Sequence, residues 1–477
     1  MLNKYIINTK VLLLATIIFA SLSSCKTNSQ KIEAKSKPVK NIILMIGDGM
    51  GPAYVKGYRL LKDNPQTEIV ERTTFDEYLI GTIDTDPKGK RGKVTDSAAA
   101  ATAYATGYKV LSSTLSITEK GEPLLTVLEK AKQLGMSTGL VATSSLTGAT
   151  PAAFIAHYPN RYDYPKIADQ FIDNQFNNEP YLDVLLGGGE KYFYRGDRNL
   201  VKEFESLDFN YVANKKELLE NTHPKIIGLF AENQLDKMMD RRIETPSLAE
   251  MTKSAIKQLS KNKKGFFLMI EASQIDWAGH RKDIVGSMTE MEDFELAMQE
   301  VLKFAKNDGE TQLILTADHS TGGLTIGTEV NGKKYYEWNS DVVNSFSKSP
   351  EEIVRLALIS RDLYAEFKKA STMEITESEI NTLKQYNFPL SVTEKKLEAG
   401  SQKTKSVSSK GESKIENELV AILIKIINEH SYTGWTTMGH TGVDVNLYAY
   451  GPRTNEIMGH SDNTRIGQFI FELLEEN

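Results

Sequence analysis

The segment NIILMIGDGMG, residues 41–51, decides the fold class. Residues 41–46 form an almost continuous apolar run, which is typical of a parallel strand buried on both faces of a sheet. The run stops at GDGMG, residues 47–51. Because ligands of open α/β sheets bind at the carboxyl ends of the strands, Asp48 is the first candidate for a site residue.

Similar apolar runs occur along the rest of the chain, and helical patterns lie between them. The runs are TGLVAT (138–143), DVLLGGG (183–189), KIIGLF (225–230), GFFLMIEAS (265–273), TQLILTAD (311–318) and NLYAYGP (446–452). The helical pattern at 287–306 opens with Ser287 and Glu290 at capping-box spacing, which predicts that this helix begins near Ser287. Strands that alternate with helices predict an α/β fold with a mostly parallel central sheet flanked by helices on both faces.

Residues from about 325 to 430 interrupt this alternation, so we expect an insertion in a domain that spans 41–477. The insertion contains helical patterns from Ser349 and Thr376 and no pattern of a core strand. It is expected either to form a crown-like subdomain over the site or to make a dimer contact. As a further hypothesis, Trp338 and the pair at 335–336 line the approach to the site.

The N-terminus has the pattern of a targeting segment. Residues 1–24 contain lysines followed by the apolar stretch VLLLATIIFA at 11–20, which predicts a signal peptide. Cys25, the only cysteine, ends the sequence LSSC, which resembles the lipobox of bacterial lipoproteins. The alternative is a chance cysteine beside an ordinary cleavage site. We therefore expect a lipidated Cys25, a polar tether over 25–40, and a bacterial cell-envelope location on the periplasmic or cell-surface side.

Overall charge makes one class of partner improbable. The chain of 477 residues has a formal net charge of −6 and no dense stripe of lysine and arginine with interleaved aromatic residues. Nucleic-acid recognition is therefore not expected.

Acidic and histidine side chains collect where predicted strands end. Glu271 and Asp318 end two of the runs, and His319 follows directly. Asp276 and His280 are four residues apart, so a helix would place both on one face, able to hold one ion. His440 lies between glycines in MGHTG. Imidazole and carboxylate together suit zinc, and additional oxygen ligands suit magnesium. The remaining histidines are not assigned to the site: His223, His430 and His460 lack such neighbours, and His157, in AAFIAHYPNR, is equally well explained as a satisfied histidine near the core.

Ser97, in VTDSAAAATAYATGYK at 94–109, is a candidate nucleophile without an evident base. No histidine is near it in sequence, and the G-x-S-x-G pattern of a nucleophile elbow is missing. Ser97 is therefore either inert or activated by a bound metal, which would lower the pKa of its hydroxyl. A position near a helix N-terminus would also favour a phosphate group there.

Seven motifs in sequence order resemble those of the alkaline phosphatases. The resemblance covers about 40–325 and about 435 to the end of the chain, and it is carried by GDGMG, TDSAAAATAYATGYK, ATPAAFIAHYPNR, LGGG, EASQIDWAGH, TADH and GHTG. It implies metal-dependent hydrolysis of phosphate monoesters to an alcohol and inorganic phosphate, through a phosphoserine intermediate on Ser97. Relatives are often homodimers, so a homodimer is one expectation.

The resemblance also implies a role for each matching residue. Asp276, His280 and His440 would hold one zinc; Asp48, Asp318 and His319 would hold a second zinc; Asp48, Thr150 and Glu271 would hold a magnesium. Arg161 would grip two phosphate oxygens, a role that suits its planar fork. Two positions depart from relatives: Gly148 stands where an aspartate or histidine is frequent, and Trp277 where a lysine or histidine is frequent. Both affect the surroundings of the third metal.

Three alternative functions remain open at this stage. A sulfatase would need a C/S-x-P-x-R site, and TDSAAA lacks the proline and the arginine. A phosphodiesterase must accommodate a second ester group, which an arginine clamp such as Arg161 opposes. A non-catalytic phosphate-binding lipoprotein would be expected to have lost the nucleophile or metal ligands, whereas all assigned positions carry competent residues.

Overall fold

A computed structural model describes residues 38–89, 92–385 and 410–476 of the chain. The predicted signal peptide, Cys25 and most of the predicted tether lie outside the described residues. The described strands are β1 (Asn41–Gly47), β2 (Leu79–Asp84), β3 (Ser137–Ser145), β4 (Gln175–Phe176), β5 (Glu179–Pro180), β6 (Val184–Gly188), β7 (Asn210–Val212), β8 (Ile226–Leu229), β9 (Phe266–Ala272), β10 (Thr311–Thr316), β11 (Ser320–Thr321), β12 (Thr325–Ile326), β13 (Glu329–Val330), β14 (Lys333–Lys334), β15 (Thr433–Gly434), β16 (His440–Thr441), β17 (Val445–Tyr450) and β18 (Gly459–Asp462).

The described α-helices are α1 (Pro52–Leu61), α2 (Thr74–Tyr78), α3 (Ser97–Thr106), α4 (Val127–Gln133), α5 (Ala149–Ala152), α6 (Tyr164–Asp173), α7 (Glu190–Phe193), α8 (Leu200–Ser206), α9 (Lys215–Glu220), α10 (Leu248–Leu259), α11 (Gln274–Arg281), α12 (Ile284–Asp308), α13 (Ser340–Asn344), α14 (Pro350–Ser360), α15 (Leu363–Ala370), α16 (Glu377–Lys384), α17 (Lys410–Ser431) and α18 (Thr464–Glu475). Single 3-10 turns lie at Met238–Asp240 and Thr454–Ile457.

A ten-stranded sheet forms the centre of the fold, in the order β18-β2-β17-β10-β1-β9-β3-β6-β8-β7. The strands from β10 to β7 pair in parallel, as do β2 and β18, and β17 runs antiparallel to both of its neighbours. The mostly parallel sheet predicted from the alternating pattern is therefore confirmed. Every residue of β1 and of β9 is buried, as expected for apolar strands that are covered on both faces.

Two groups of helices cover the sheet, as predicted. In one group α10 packs on β3, β6 and β9, α12 packs on β1, β9 and β10, and α1 and α11 pack on α12. In the other, α4 and α5 both pack on β3 and β9, while α3 packs against α5 and α18. Helix α3 is buried along its whole length because its alanine side chains allow close approach on every side.

The register of the three central strands explains why the carboxylates meet. Ile46 of β1 pairs with Thr316 of β10, and Asp48 and Asp318 each follow two residues later. Ile46 also pairs with Glu271 of β9 on the other side. Because parallel strands end at the same edge, all three carboxylates lie at the carboxyl edge of the sheet centre.

The long helix α12 starts three residues earlier than the sequence predicted. Its N-cap is Asp283, whose side chain accepts a hydrogen bond from Gly286 N, and Ser287 lies buried inside the first turn. The Glu290 carboxylate accepts instead from the backbone N of Met238, at 2.7 Å. The prediction that the helix begins near Ser287, based on the capping-box spacing of Ser287 and Glu290, was thus wrong, because Asp283 already supplies the N-cap.

Between 325 and 431, the described residues form helices α13 to α17 and short strand pairs outside the ten-stranded sheet. Helix α17 packs on α13 and α14, and α1 packs on α13. Trp338 donates to Thr433 Oγ1 at 2.8 Å, and Tyr335 stacks on Tyr432. Trp338 and Tyr335, two of the three aromatic residues expected to line the approach, therefore contact residues 432–433, whereas Tyr336 is 95% exposed.

No helix among the described residues has both the length and the apolar character needed to cross a bilayer.

Candidate active site

Ser97 is the first residue of α3, so it lies at a helix N-terminus, the position considered in the sequence analysis. Asp96 caps the helix by accepting a hydrogen bond from Ala99 N at 3.2 Å. The Ser97 hydroxyl is buried, and its Oγ lies 3.2 Å from His319 Nε2. A serine that was isolated in sequence therefore has an imidazole beside it in the fold.

That imidazole is poorly suited to act as a general base for Ser97. His319 Nε2 also lies 3.1 Å from Asp318 Oδ2 and 3.5 Å from Asp48 Oδ1. Burial lowers the pKa of His319, but the Asp318 carboxylate outweighs burial and raises this pKa above its ordinary value. The nitrogen that faces Ser97 is thus shared with two carboxylates of the cluster, an arrangement that suits a metal ligand better than the general base of a protease-type Ser-His pair.

Asp276, His280 and His440 form one group of potential metal ligands. Their ligand atoms lie within 4.8 Å of one another. Asp276 Oδ2 is 3.2 Å from His280 Nε2, which is 3.2 Å from His440 Nε2. Asp276 and His280 lie on one face of α11, as their spacing of four residues predicted. The other ring nitrogens face backbone carbonyls, those of Met438 for His280 and Thr95 for His440, and such contacts orient ligating histidines.

A second group consists of Asp48, Asp276 and His319, whose ligand atoms also lie within 4.8 Å of one another. Asp318 adjoins this group through its contact with His319. Asp318 Oδ1 accepts from the backbone N of Gly49 and of His319, both at 2.9 Å, which fixes the carboxylate. Asp276 thus faces both groups, although the sequence placed it in only one.

Glu271 and Thr150, the expected oxygen ligands of a third ion, are both buried. Glu271 accepts from Ser144 Oγ at 3.1 Å, and burial raises the pKa of Glu271 to about 7. Thr150 lies on α5, which packs on β9, the strand of Glu271. Gly148, the position that departs from relatives, is the N-cap of α5, and a Cβ there would lie 2.9 Å from the carbonyl oxygen of Ser145.

The donor set fits bound cations on two independent observations. Asp48 Oδ1, Asp318 Oδ2 and Thr150 Oγ1 are buried without a hydrogen-bond partner among the described residues. Such oxygens are costly unless something else satisfies them. In addition, burial and then the neighbouring carboxylates of Asp318, Asp276 and Glu271 raise the pKa of Asp48 well above its ordinary value. Positive ions among these oxygens would remove both penalties.

Arg161 reaches the same edge from the loop after α5. Its Nη1 donates to Asp96 Oδ2 at 3.0 Å, so the residue before Ser97 holds the guanidinium. This places Arg161 beside the N-terminus of α3, where a phosphate group would also meet backbone N–H groups. The sequence did not single out Asp96; the preference for aspartate at helix N-caps was the available signal.

Thr321 is a second residue that the sequence reasoning missed. Its hydroxyl donates to Asp276 Oδ1 and lies 3.2 Å from His319 Nδ1, so it links the two ligand groups.

The four histidines excluded from the site have other contacts: His157 with Glu129, His223 with Asp208, His430 with Glu379 and His460 with Asp444.

Replacing Gly49 with alanine is expected to disrupt this edge. Gly49 has φ +73°, and an added Cβ would lie 2.7 Å from Asp276 Cα and 2.8 Å from Thr321 Oγ1. The ligand group must shift, so we expect Gly49→Ala to lower both metal content and catalytic activity at least about tenfold. Gly121→Ala is the matched control, because Gly121 has φ +80° with nothing within 4 Å of an added Cβ. If the two variants had equal metal content and activity, the close approach of Gly49 to Asp276 and Thr321 would be contradicted.

Comparisons with known proteins identify the family of the chain. A sequence model of the family "alkaline phosphatase" matches residues 39–476. Alkaline phosphatase 3 of Bacillus subtilis (strain 168) is 43% identical over 471 residues, covering 98% of this chain and 96% of that protein.

Solved structures agree in fold. The cold-active alkaline phosphatase of a psychrophilic Shewanella species has a TM-score of 0.79 and 37% identity, covering 91% of this chain and 99% of the other. A substituted form of the alkaline phosphatase from the Antarctic bacterium TAB5, with Mg bound in its M3 site, has a TM-score of 0.64 and 26% identity, covering 93% and 100%. The chain belongs to the alkaline phosphatase family, and it is a metal-binding hydrolase of phosphate monoesters.

Proposed function

We propose that Ser97 is the nucleophile of this hydrolysis and is phosphorylated during turnover. The observation that carries the proposal is the position of one buried hydroxyl, at a helix N-terminus, beside a cluster of imidazoles and unpaired carboxylate oxygens. His319 is unsuited to deprotonate it, so activation is assigned to bound metal.

The ligand sets proposed for two Zn²⁺ and one Mg²⁺ follow the chemistry of the donors. Asp276, His280 and His440 would hold one zinc, since imidazole and carboxylate are zinc ligands. Asp48, Asp318 and His319 would hold the second zinc. Asp48, Thr150 and Glu271 supply only oxygen, which magnesium prefers. The Mg in the M3 site of the TAB5 variant supports this choice for the third ion. When bound, these ions supply positive charge that lowers the pKa of an oxygen nucleophile and stabilises charge on the phosphoryl group.

The chain's own residues then carry out the displacement as follows. Ser97 releases its hydroxyl proton to solvent and its Oγ attacks phosphorus, so that the Oγ–P bond forms as the bond between phosphorus and the alcohol oxygen breaks. Arg161 and the first N–H groups of α3 hold the remaining phosphoryl oxygens. The alcohol leaves with a proton from solvent. Water then attacks the phosphoserine, which releases inorganic phosphate and restores the Ser97 hydroxyl.

Arg161 is proposed to give the site its preference for monoesters. One guanidinium nitrogen is held by Asp96, which leaves the rest of the fork to bind two non-bridging oxygens of a dianionic phosphoryl group. A diester offers one charge less and carries a second ester group. This is the feature that separates the proposal from a phosphodiesterase of similar architecture.

Replacement of Arg161 tests the proposal. Arg161→Ala is expected to raise KM for a chromogenic monoester and the inhibition constant of inorganic phosphate by about 10- to 100-fold, because charge-assisted hydrogen bonds are lost. Arg161→Lys should recover only part of this, since lysine cannot bind as a fork. Activity on a matched diester should fall less, so the monoester-to-diester ratio should decrease. An unchanged ratio would refute the assigned role.

We further propose an envelope location, with a signal peptide over 1–24, lipidation of Cys25 and a tether over 25–40. The sequence LSSC supports lipidation. We also propose a homodimer and a crown-like role for about 325–430. Expression of the full chain in a bacterial host should place the protein in the membrane fraction, and Cys25→Ser should release it. Equal membrane association of both forms would contradict lipidation.

A further inference from the structure

His157 is a buried histidine whose two ring nitrogens both face acceptors. Its Nδ1 lies 2.8 Å from the carbonyl oxygen of Ser116, and its Nε2 lies 2.8 Å from Glu129 Oε1. The side chains of His157 and Glu129 are only 12% and 7% exposed, so solvent does not replace either contact.

The proton count at this site indicates a charged ring. A neutral imidazole has one N–H, and a backbone carbonyl can only accept. Glu129 belongs to a capping box in which its Oε2 accepts from Thr126 N at 2.9 Å, and a carboxyl group is a stronger acid than an imidazolium, so the proton between Glu129 and His157 lies on the ring. Both nitrogens of His157 must then donate, which requires the imidazolium form. Burial lowers the pKa of His157, but the hydrogen bond to Glu129 outweighs burial and raises this pKa above its ordinary value.

The acceptor on the Nδ1 side lies in a strained turn. Ser113 and Ser116 have φ of +68° and +44°, in the left-handed region that residues with a Cβ rarely adopt. Such a conformation persists only where neighbours hold it. Ser116 N donates to Thr102 Oγ1 at 3.1 Å, and the imidazole of His157 holds the carbonyl on the other side.

Backbone hydrogen bonds join this turn to the segment that contains Arg161. Leu115 and Tyr158 exchange two backbone hydrogen bonds of 2.9 Å, and Arg161 N donates to Ser113 O at 3.0 Å. Ser113 N and Arg161 Nη1 both donate to Asp96 Oδ2, each at 3.0 Å. The position of the turn therefore determines where the backbone and the guanidinium group of Arg161 lie.

We propose that His157 is an imidazolium in the native protein, and that its two ring hydrogen bonds, to Glu129 and to the Ser116 carbonyl, position Arg161 and thereby set the affinity of the site for a phosphoryl group. The inference rests on the phosphate-binding role proposed above for Arg161. Among the described residues, Glu129 of α4 is the charged group in contact with the ring. From α6, the neutral Gln170 accepts from the backbone N of His157 at 2.7 Å.

The first test measures the protonation of His157 without reference to activity. Long-range proton–nitrogen spectra of histidine-labelled protein, with the signal assigned by its loss in His157→Gln, should show two protonated ring nitrogens at pH 8. In Glu129→Gln, the amide can donate to Nε2, so the ring should become neutral with its proton on Nδ1. A neutral ring in the wild-type protein at pH 8 would overturn the proposal.

The second test separates positioning from a purely structural role. His157→Gln should raise KM for the monoester and the inhibition constant of phosphate by about 10- to 100-fold, since small displacements of a binding group have effects of this size, while kcat changes less. Glu129→Gln, which keeps both hydrogen bonds, should retain near wild-type constants. His430→Gln is the matched control, because it breaks another histidine–glutamate pair and should leave both constants unchanged.

Three outcomes are decisive for this inference. A lowered Tm in His157→Gln with unchanged phosphate inhibition would overturn it and leave a structural role. If His157→Gln does not fold, Glu129→Gln decides: wild-type phosphate inhibition with a neutral His157 supports the positioning geometry, and a large loss overturns it. If Arg161→Ala itself leaves phosphate inhibition unchanged, the proposed role of Arg161 fails, whatever the spectra show for His157.

Discussion

Replacing Ser97 with alanine is expected to lower kcat for a phosphate monoester by about 10⁴-fold or more, the scale seen when a covalent nucleophile is removed. The hydroxyl is the only group proposed to form a bond to phosphorus, and the alanine side chain has the size to fit the buried position. Metal content and Tm should stay close to wild type, because the substitution removes a single side-chain hydrogen bond among the described residues, the one to His319. Initial rates with a chromogenic monoester measure the effect.

Ser254→Ala is the control for Ser97→Ala. Ser254 is also a buried helical serine, on α10 among residues that pack on the sheet. It should retain wild-type kinetics. If folded, metal-loaded Ser97→Ala kept activity within tenfold of wild type, the assignment of the nucleophile would be wrong.

Removing metal is expected to have the second-largest effect. Dialysis against a chelator should lower activity by about a thousandfold or more, because bound ions contribute several kcal/mol of transition-state stabilisation. Zinc with magnesium should restore activity, and magnesium alone should not, since the imidazole-containing ligand groups suit zinc. Full activity at a metal content well below one ion per chain would contradict the proposed site.

Metal removal should also make stability depend on pH. In the folded chain without ions, burial raises the pKa of Glu271 to about 7, above its ordinary value of 4.5. The folded state then binds a proton that the unfolded state has released, so the contribution of Glu271 to stability is fully present below pH 4.5 and is lost as pH rises through 7. Thermal melts of the chelated protein between pH 5 and 8 should show this decrease, and the metal-loaded protein should show much less of it.

The central strands could be predicted from sequence because burial on both faces leaves an uninterrupted apolar run. β1, β9 and β10 were found in this way. β18 was not, because the edge strand GHSD is polar and largely exposed, and β2 was not, because its residues are only partly buried. The start of α12 was misplaced because two residues at capping-box spacing stood inside a helix that Asp283 already caps.

The candidate ligands could be named from sequence, but their contacts could not. The predicted ligands follow strand ends or share a helix face, so local patterns were informative. The shared position of Asp276 depends on the register of β1, β9 and β10, which no local pattern contains. The contact of Asp96 with Arg161 joins residues 65 positions apart. It became visible only when α3 and the loop after α5 were placed together.

The most direct test of the account is to locate the phosphoryl group on the enzyme. Protein mixed with a phosphate monoester and quenched in acid during turnover would be digested and mapped by mass spectrometry. The account predicts one added phosphoryl group on Ser97, in the peptide that contains TDSAAAATAYATGYK, and none in Ser97→Ala. A phosphorylated residue elsewhere, or turnover with no phosphorylated peptide at any quench time, would contradict a phosphoserine mechanism on Ser97.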